Sequence, residues 1–410
     1  MRVVMVAPFA RRPKGTTNAR VVPLARSLAA QGHRVTVLVP PYDNPAESGQ
    51  QDTIGGARLV SLRVDDAVPE QSPRQAIEQP RLALELYRRA RALTPDVVHV
   101  FKPKAVSGLA QLLFWYVRGR GGPRMVLDTD DWEGDGGWNE YERYPWWQKR
   151  AADWQERWGL RHAHAFTAAS RCLERRLLDD GVSRRRVHYV SNGFDPADYP
   201  GWERGDGARG RERLGLGDTP IVLLYTRFFE FSPERAWEVF RRIRAARPDA
   251  RLLVVGAGKY GQERRLGKLA AEGGDAGAVV VAGWQPLDAL ADLLLTADVA
   301  LFPADDNLAN RAKCSAKVLE TLWLRRAVVA DRVGQYAEFL DAHNGGEACG
   351  LLSDPAHPDQ MAGAALRILN DRQLAVRLGA AGRERVLGDF GWDQLAGGVA
   401  AAYAAALSAR

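Results

Sequence analysis

The segment Asp128–Asn139, DTDDWEGDGGWN, carries the densest mixture of carboxylates and aromatic rings in the chain. Carboxylates orient or deprotonate hydroxyl groups, and tryptophan rings stack on sugars. We therefore predict that Asp128, Trp132 and Trp138 contact a sugar-like ligand, and we predict that Asp130 orients one of its hydroxyl groups. Two alternatives stay open: clustered Asp residues suit a hard divalent cation, or the segment is a loop whose rings pack on the core.

Two glycine-containing segments have the composition of phosphate-binding loops. Residues 13–18, PKGTTN, lie between a predicted strand and helix, where Gly15 and Thr16 would let N–H groups approach a diphosphate. Helix capping by a threonine is the alternative. Gly256 and Gly258 begin GAGKYG, which matches the dinucleotide pattern G-x-G-x-x-G and also allows an NAD-dependent oxidoreductase. This pattern follows the second strand of its half instead of the first, and Asp275, the acid about 20 residues later, lies in a Gly-rich turn.

Short apolar runs alternate with amphipathic helical patterns in both halves, which is typical of parallel sheets covered by helices. In the first half the predicted strands are Arg2–Ala7, Arg34–Val39, Val97–Phe101, Arg124–Asp128, Ala165–Ala168 and Val187–Val190, and the predicted helices are Ala19–Gln31 and Pro80–Ala92. In the second half the predicted strands are Ile221–Tyr225, Ala250–Val255, Ala278–Ala282, Val299–Phe302, Ala327–Ala330 and Gly350–Leu352, and the predicted helices are Glu234–Ala246, Gln262–Glu272, Leu287–Leu294, Lys313–Leu324, Tyr336–His343 and Asp359–Leu369. Residues 196–217 lack periodicity and predict a linker.

The predicted fold is therefore α/β, with two Rossmann-like, doubly wound domains that face each other across a cleft. The N-terminal domain is expected over residues 1–195, joined by a C-terminal helix over 392–410 that crosses back to it. The second domain is expected over residues 196–391. Because open parallel sheets bind ligands at the carboxyl ends of their strands, we expect the active site in the cleft.

Composition limits the classes of partner. The net charge of +7 favours phosphate-bearing small molecules and falls short of a nucleic-acid-binding tail, so no nucleic acid is expected. The cysteines Cys172, Cys314 and Cys349 are few and far apart, which indicates a reducing cytoplasm without disulfides or a zinc site. Because no run approaches about 18 apolar residues, membrane contact is expected to be peripheral only. The aromatic segment 144–158 either contacts an anionic bilayer through its tryptophans and cations or packs on the core.

The segments ALFP (300–303), KCSAKVLE (313–320) and RAVVA (326–330) resemble the donor-site region of retaining GT-B glycosyltransferases of family 4. Further segments of the sequence resemble motifs of the same family and occur in the same order and at approximately the same spacing. They include DVVHV (96–100), SNGFD (191–195), Arg227 after a strand, VGAG (255–258) and GW (391–392). The resemblance extends over nearly the whole chain. It implies that residues 1–195 bind the acceptor, with contacts from Asp128, Trp132 and Trp138 and orientation by Asp130, and that residues 196–391 bind the nucleotide-sugar donor.

The resemblance implies roles for particular residues. Glu320 would bind the donor ribose hydroxyls, since one carboxylate can accept from two neighbouring hydroxyl groups. Arg227 would stabilise the charge that builds on the leaving diphosphate. The family's lysine after this arginine is absent, so we expect Lys317 to supply its charge, with Lys313 and Arg311 as alternatives.

Other positions depart from the family pattern or extend it. Ala312 stands where the family usually has a second acid, so we expect Asp305, Asp306 or Asn310 to contact the transferred sugar. Ser315 and Val318 are further predicted donor contacts. Because Phe101 replaces a histidine of many relatives, Lys102 or Lys104 is expected to border the cleft and the acceptor.

The resemblance also implies an activity. We expect a retaining glycosyltransferase that uses a nucleotide diphosphate sugar, with no cofactor and no metal, and with a small molecule, glycan or lipid-linked acceptor. The alternatives are a GT-B-like epimerase or phosphorylase, the oxidoreductase considered above, and a non-catalytic sugar-binding protein.

Overall fold

The computed structural model describes residues 1–12, 14–66, 72, 74–117, 122–342 and 347–409. Pro13 of the predicted phosphate loop and His343 of a predicted helix lie outside the described residues. The chain divides into two compact units. The first comprises Met1–Gly193, Ala312–Cys314 and Trp392–Arg410, and the second comprises Phe194–Arg311 and Ser315–Gly391.

Apolar, β-branched segments form the sheet of the first unit, in the order β3-β4-β2-β1-β5-β6-β7-β8. Its strands are β1 (Arg2–Val6), β2 (Arg34–Val39), β3 (Gln51–Ile54), β4 (Ala57–Ser61), β5 (Val97–Phe101), β6 (Arg124–Thr129), β7 (Ala165–Ala168) and β8 (Val187–Tyr189). All neighbours run parallel except β3 and β4, which are antiparallel. The strand β5 is buried along its whole length, as expected for the centre of a parallel sheet with covered faces.

Helices cover this sheet because each presents an apolar face to it. They are a π-helix (Thr17–Val21), α1 (Val22–Ala30), α2 (Gln75–Ala92), α3 (Ala105–Val117), α4 (Trp146–Gly159) and α5 (Arg171–Asp179). The C-terminal helix (Trp392–Ser408) belongs to the same unit and shares its core with α1, through residues such as Leu24, Leu28, Val399 and Tyr403.

The second unit has an all-parallel sheet in the order β11-β10-β9-β12-β13-β14. Its strands are β9 (Ile221–Tyr225), β10 (Arg251–Val255), β11 (Val279–Gly283), β12 (Val299–Phe302), β13 (Val328–Asp331) and β14 (Leu351–Ser353). Its helices are α6 (Gly207–Leu214), α7 (Pro233–Ala246), α8 (Gln262–Glu272), α9 (Leu287–Leu295), α10 (Leu308–Ala312), α11 (Ala316–Trp323), α12 (Gln335–Leu340), α13 (Pro358–Asn370) and α14 (Arg372–Asp389). A buried cluster that includes Val222, Leu224, Phe240 and Ile243 forms its core.

The predicted fold class, two doubly wound α/β units, is confirmed. Every predicted strand is present, with ends that differ by at most one residue. The prediction of a linker over residues 196–217 is wrong in part, because α6 lies within it. Asp206 accepts a hydrogen bond from the N–H of Ala208 at its start, and Gly215 ends it with φ 58°. The hairpin of β3 and β4 was not predicted, since the residues of β3 are mostly exposed and polar.

Candidate functional site

The sheet of the second unit has a switch point between β9 and β12, because the chain builds outward from these strands in opposite directions. Their carboxyl ends border a small pocket. It is lined by residues that include Tyr225, Thr226, Phe302, Pro303, Ser315 and Lys317. In open parallel sheets this is the place where ligands bind.

The loop after β9 exposes Arg227. The next residue, Phe228, is buried and adopts the left-handed conformation with φ 59°, which a bulky residue rarely does. Its N–H donates to the Thr226 hydroxyl at 2.7 Å, which helps to hold the turn. Because Phe228 points into the core, Arg227 is presented to solvent, with its guanidinium 5.1 Å from the Phe229 ring centroid.

The helix α11 places Lys317 and Glu320 on one face, since they are three residues apart. The Lys317 ammonium lies 5.3 Å from the ring centroid of Tyr225. Burial and the nearby charge of Arg227 lower the pKa of Lys317 to about 8, while Glu320 opposes the shift. The structure therefore brings together the three residues predicted to hold the donor, Arg227, Lys317 and Glu320.

The Glu320 carboxylate is buried and only partly satisfied. Its Oε1 accepts a hydrogen bond from the Tyr199 hydroxyl at 2.9 Å. Its Oε2 has no hydrogen-bond partner among the described residues. Burial raises the pKa of Glu320, whereas Tyr225, Tyr199 and Lys317 favour its charged form. A buried oxygen without a partner is unusual in a folded protein, so this oxygen is a candidate acceptor for a ligand hydroxyl.

Tyr199 and Tyr225 were missed at the sequence level. Tyr225 ends a predicted strand, and Tyr199 lies in the segment interpreted as a linker, where no motif pointed to it. The one available signal was the aromatic spacing of Phe194, Tyr199 and Trp202. These rings pack together, with centroids 4.7 Å and 4.6 Å apart along the series.

Two predicted donor contacts have structural roles. The side-chain amide of Asn310 donates to the carbonyls of Glu230 and Asp305 at 2.8 Å and 2.9 Å, so it holds loop backbone. The Val318 side chain is fully buried in the helix interface and presents no surface to a ligand. Both side chains are therefore used within the second unit, and a contact of either residue with the donor stays a prediction.

Of the other predicted donor contacts in this unit, some stay predictions, and for others the local packing alone explains the residue type. Ser315 is hydrogen-bonded to Tyr336 and lines the pocket. Asp305 is half-buried, 3.7 Å from Arg235, and stays a prediction. Gly256 has φ 113°, and a Cβ there would lie 2.0 Å from the carbonyl oxygen of Thr226, so this position requires glycine without any cofactor.

Gly258 differs from Gly256 in what a side chain there would meet. A Cβ at this position would lie 2.2 Å from Oε1 of the Gln262 side chain, in the turn that leads into α8. Close backbone packing within the second unit therefore accounts for Gly256, whereas at Gly258 the flexible end of the Gln262 side chain could move to admit a Cβ.

In the first unit, Asp128 forms a buried ion pair with Arg20. The guanidinium donates to both carboxylate oxygens at 2.8 Å and 2.7 Å, and both side chains are almost inaccessible. Thr167 donates to the same carboxylate. The prediction that Asp128 contacts an acceptor is therefore wrong, because its oxygens are used within the core.

Lys102 is also internal. Its ammonium lies 2.7 Å from Asp131, 2.9 Å from Glu133 and 3.3 Å from Asp130. The residue is 6% exposed, and a cation held by three carboxylates is not available to a ligand. The prediction that the Lys102 ammonium contacts the acceptor is therefore wrong, because its charge is used within the first unit. Lys104 pairs with Glu133 in the same cluster.

Asp130 is the carboxyl group of this cluster that titrates near neutral pH. Burial, opposed by Lys102, raises its pKa to about 7. Its Oδ2 accepts a hydrogen bond from the Thr16 hydroxyl at 3.2 Å. The structure thus joins the predicted phosphate loop to the predicted acceptor-orienting carboxylate within one unit.

Neither threonine of that loop caps the following helix. The Thr16 hydroxyl donates to Asp130 and the Thr17 hydroxyl donates to the carbonyl of Phe9 at 2.8 Å, so the capping alternative is wrong. Gly15 faces open space, because a Cβ placed there would meet nothing within 4 Å.

The two predicted sugar-stacking tryptophans differ. Trp132 is 1% exposed, and the Arg176 guanidinium lies 3.8 Å from its ring centroid, so it has no free face for a sugar and that prediction is wrong. Trp138 is half-buried and stays a prediction. The ammonium of Lys313 lies 5.8 Å from the Trp138 ring centroid. Lys313 belongs to the first unit and not to the cluster around Glu320.

The surface of α4 carries exposed aromatic side chains. Trp146, Trp147 and Trp154 are 74%, 56% and 52% exposed, which is unusual for the largest apolar side chain. The Trp154 ring stacks on that of Trp158 at 6.2 Å, and Arg150 on the same helix is exposed. The prediction that these rings pack on the core is wrong for the three exposed ones. No helix in the described part of the chain is both long and apolar enough to span a bilayer.

The family model described as "Glycosyl transferase 4-like domain" matches residues 15–193, and the one described as "Glycosyl transferases group 1" matches residues 220–371. The D-inositol 3-phosphate glycosyltransferase of Acidothermus cellulolyticus is 31% identical over 248 residues, 58% of this chain and 52% of that protein. A GDP-mannose-dependent alpha-(1-6)-phosphatidylinositol monomannoside mannosyltransferase of Mycobacterium tuberculosis is 31% identical over 195 residues, 45% of this chain and 48% of that protein. The chain thus spans about half the length of these curated relatives.

The sucrose-phosphate synthase of Thermosynechococcus elongatus superposes with a TM-score of 0.71 at 21% identity, covering 97% of each chain. A likeness at this identity shows the fold, and the two family models together match most of the sequence. The chain belongs to the family 4-like, group 1 glycosyltransferases of the GT-B fold.

Proposed function

We propose that this protein transfers a sugar from a nucleotide diphosphate donor to an acceptor hydroxyl, with retention of the anomeric configuration. One observation carries the proposal: the second unit gathers Arg227, Lys317 and the half-satisfied carboxylate of Glu320. A nucleotide sugar presents the complementary groups, a diphosphate for the two cations and ribose hydroxyls for the carboxylate.

In the proposed reaction the bond between the anomeric carbon and the diphosphate oxygen breaks, and its electron pair leaves with the diphosphate. The acceptor oxygen bonds to the anomeric carbon on the same face, and its proton passes to an oxygen of the leaving diphosphate. Arg227 and Lys317 stabilise the negative charge that develops there. Because these cations supply the neutralisation, we propose that no metal is required, and activity should persist in excess EDTA.

On the acceptor side, we propose that Asp130 orients the acceptor for attack. Its raised pKa makes it a good hydrogen-bond acceptor above about pH 7, and Thr16 fixes one of its oxygens. Relatives are named for inositol 3-phosphate and for a phosphatidylinositol mannoside, so phosphorylated and lipid-linked inositols are the first acceptors to test. Thermal-shift measurements identify the nucleobase, and transfer assays with nucleotide sugars identify the sugar.

Thermal-shift measurements with ADP, GDP, UDP and TDP test the donor site first, because a ligand of the native state raises its stability. Transfer is then measured with the matching nucleotide sugars. Glu320→Ala and Arg227→Ala should each abolish or strongly depress turnover. Arg242→Ala is the matched control, since Arg242 is an exposed residue paired with Glu238 in the same unit.

The alternatives give different products in that assay. Binding of NAD without affinity for any nucleoside diphosphate would indicate an oxidoreductase. Release of free sugar, with its configuration altered and with no need for an acceptor, would indicate an epimerase. Wild-type activity in Glu320→Ala or Arg227→Ala would remove that residue from the site.

We further propose that the α4 surface, Trp146, Trp147, Arg150 and Trp154, makes peripheral contact with an anionic bilayer. Tryptophan prefers the interfacial region, and Arg150 complements acidic headgroups. Burial of such rings against lipid compensates for their exposure in water. This contact would serve transfer to a lipid-linked acceptor.

Vesicles of phosphatidylcholine with and without phosphatidylglycerol test this contact by co-sedimentation. The protein should bind the anionic vesicles at low salt and release at high salt. The double variant Trp147→Ala/Trp154→Ala should lose binding. Trp284→Ala is the control, because Trp284 is 76% exposed in the second unit. Equal loss in both variants, or binding that is indifferent to lipid charge, would contradict the proposal.

A further inference from the structure

We propose that Tyr199 is a positioning residue of the donor site, which holds Glu320 in the charged form and in the orientation that ribose binding requires. The inference rests on the proposed function of Glu320. Its geometric basis is the hydrogen bond from the Tyr199 hydroxyl to Oε1 at 2.9 Å, which leaves Oε2 as the oxygen without a partner.

The Tyr199 ring is fixed by its neighbours. It stacks on Phe194 with an interplanar angle of 12° and contacts Trp202 at a centroid distance of 4.6 Å. Phe194 in turn contacts Trp323, which lies one turn after Glu320 on α11, at 5.1 Å. The tyrosine and the glutamate are therefore anchored to one aromatic cluster, so their relative position is set before any ligand arrives.

The Tyr199 hydroxyl also contributes to the charge state of Glu320, together with Tyr225. Burial favours the protonated carboxyl group, and the groups that face it and oppose this are Tyr225, Tyr199 and Lys317. The pKa of Tyr199 is itself raised well above its usual value, by burial and by Glu320, so the hydroxyl stays a donor over the working pH range. Removing it would take away one of the two tyrosine hydrogen bonds to the carboxylate, and this loss favours protonation of the carboxyl group.

A consequence for ligand choice follows. An ionised carboxylate with Oε1 occupied offers Oε2 to the ribose hydroxyls, whereas a protonated or rotated carboxyl group offers a poorer acceptor. A 2′,3′-dideoxynucleotide lacks both hydroxyls and cannot use this oxygen. The preference for ribonucleotides over their dideoxy counterparts should therefore depend on Tyr199.

The test compares wild type with Tyr199→Phe, which keeps the ring and removes the hydroxyl. Dissociation constants are measured by titration calorimetry for ADP, GDP and UDP and for their 2′,3′-dideoxy counterparts. The matched control is Tyr403→Phe, which removes a buried hydroxyl that contacts Nδ1 of His99 in the first unit. We expect wild type and Tyr403→Phe to prefer the bound ribonucleotide by about tenfold or more, as for a lost hydrogen bond to a charged group.

In Tyr199→Phe this preference should fall to within about threefold, with the affinity for the dideoxynucleotide unchanged. Acid should also weaken ribonucleotide binding in both proteins, because it protonates Glu320. In Tyr199→Phe this weakening should begin at a higher pH than in wild type, because Glu320 protonates more readily. Full ribonucleotide preference in Tyr199→Phe would overturn the inference alone. No preference in wild type, or no binding of any nucleotide, would overturn the proposed role of Glu320 and the inference with it.

Discussion

The lowered pKa of Lys317 makes donor affinity depend on pH in a defined direction. Its value of about 8 means that most Lys317 side chains carry a proton at pH 7 and that only about one in eleven does at pH 9. If the diphosphate binds the charged lysine, affinity is high below pH 8 and falls as the pH rises. The dissociation constant should increase about tenfold between pH 7 and pH 9.

The assay is titration calorimetry with the nucleoside diphosphate found in the thermal-shift screen, at fixed ionic strength from pH 6.5 to 9.5. Lys317→Met is the control, because it removes the titrating group while Arg227 keeps its charge. This variant should bind more weakly at pH 7 and lose the decline. Any titration of the nucleotide itself persists in the variant, so the difference between the two curves isolates Lys317. Constant wild-type affinity, or an equal decline in Lys317→Met, would refute the assigned role.

Three further predictions follow from the structure. Turnover should rise as the pH increases through about 7, because Asp130 ionises there. Asp130→Asn should turn over slowly and lack this rise. A rise that persists in the variant would contradict the role of Asp130. Arg20→Met should destabilise the protein by about 3–5 kcal/mol in urea unfolding, because it leaves the buried Asp128 charge unpaired, whereas Arg242→Met at an exposed pair should change stability by less than about 1 kcal/mol. Gly256→Ala should lower the free energy of unfolding by more than about 1 kcal/mol, since φ is positive and the new Cβ meets a carbonyl oxygen. Gly267→Ala in α8 meets no atom and should raise the free energy of unfolding by about 0.5–1 kcal/mol. The opposite order would contradict the packing described.

The strands were predictable because fully buried parallel strands consist of short apolar segments, as in β9 and β12. The hairpin of β3 and β4 lies at a sheet edge, where exposed polar residues hide the pattern. The helix α6 was hidden by its composition, although Asp206 and Gly215 supplied both of its caps. Local capping signals would have recovered it.

The candidate site was predictable where the family motif lies within a short segment, as for Lys317 and Glu320. Pairings between distant segments were not. Tyr199 meets Glu320 across 121 residues, and Arg20 meets Asp128 across 108, so no local pattern records either contact. Residue type alone also misled, because Asp128, Lys102 and Trp132 look like ligand contacts in sequence and are buried by their partners in the fold.

A crystal structure of the protein with its bound nucleoside diphosphate tests the central claim most directly. The account predicts ribose hydroxyls within hydrogen-bond distance of the Glu320 carboxylate, with the diphosphate contacting Arg227 and Lys317 at the carboxyl ends of β9 and β12. A nucleotide bound elsewhere, or bound with these three side chains making no contact to it, would contradict the account.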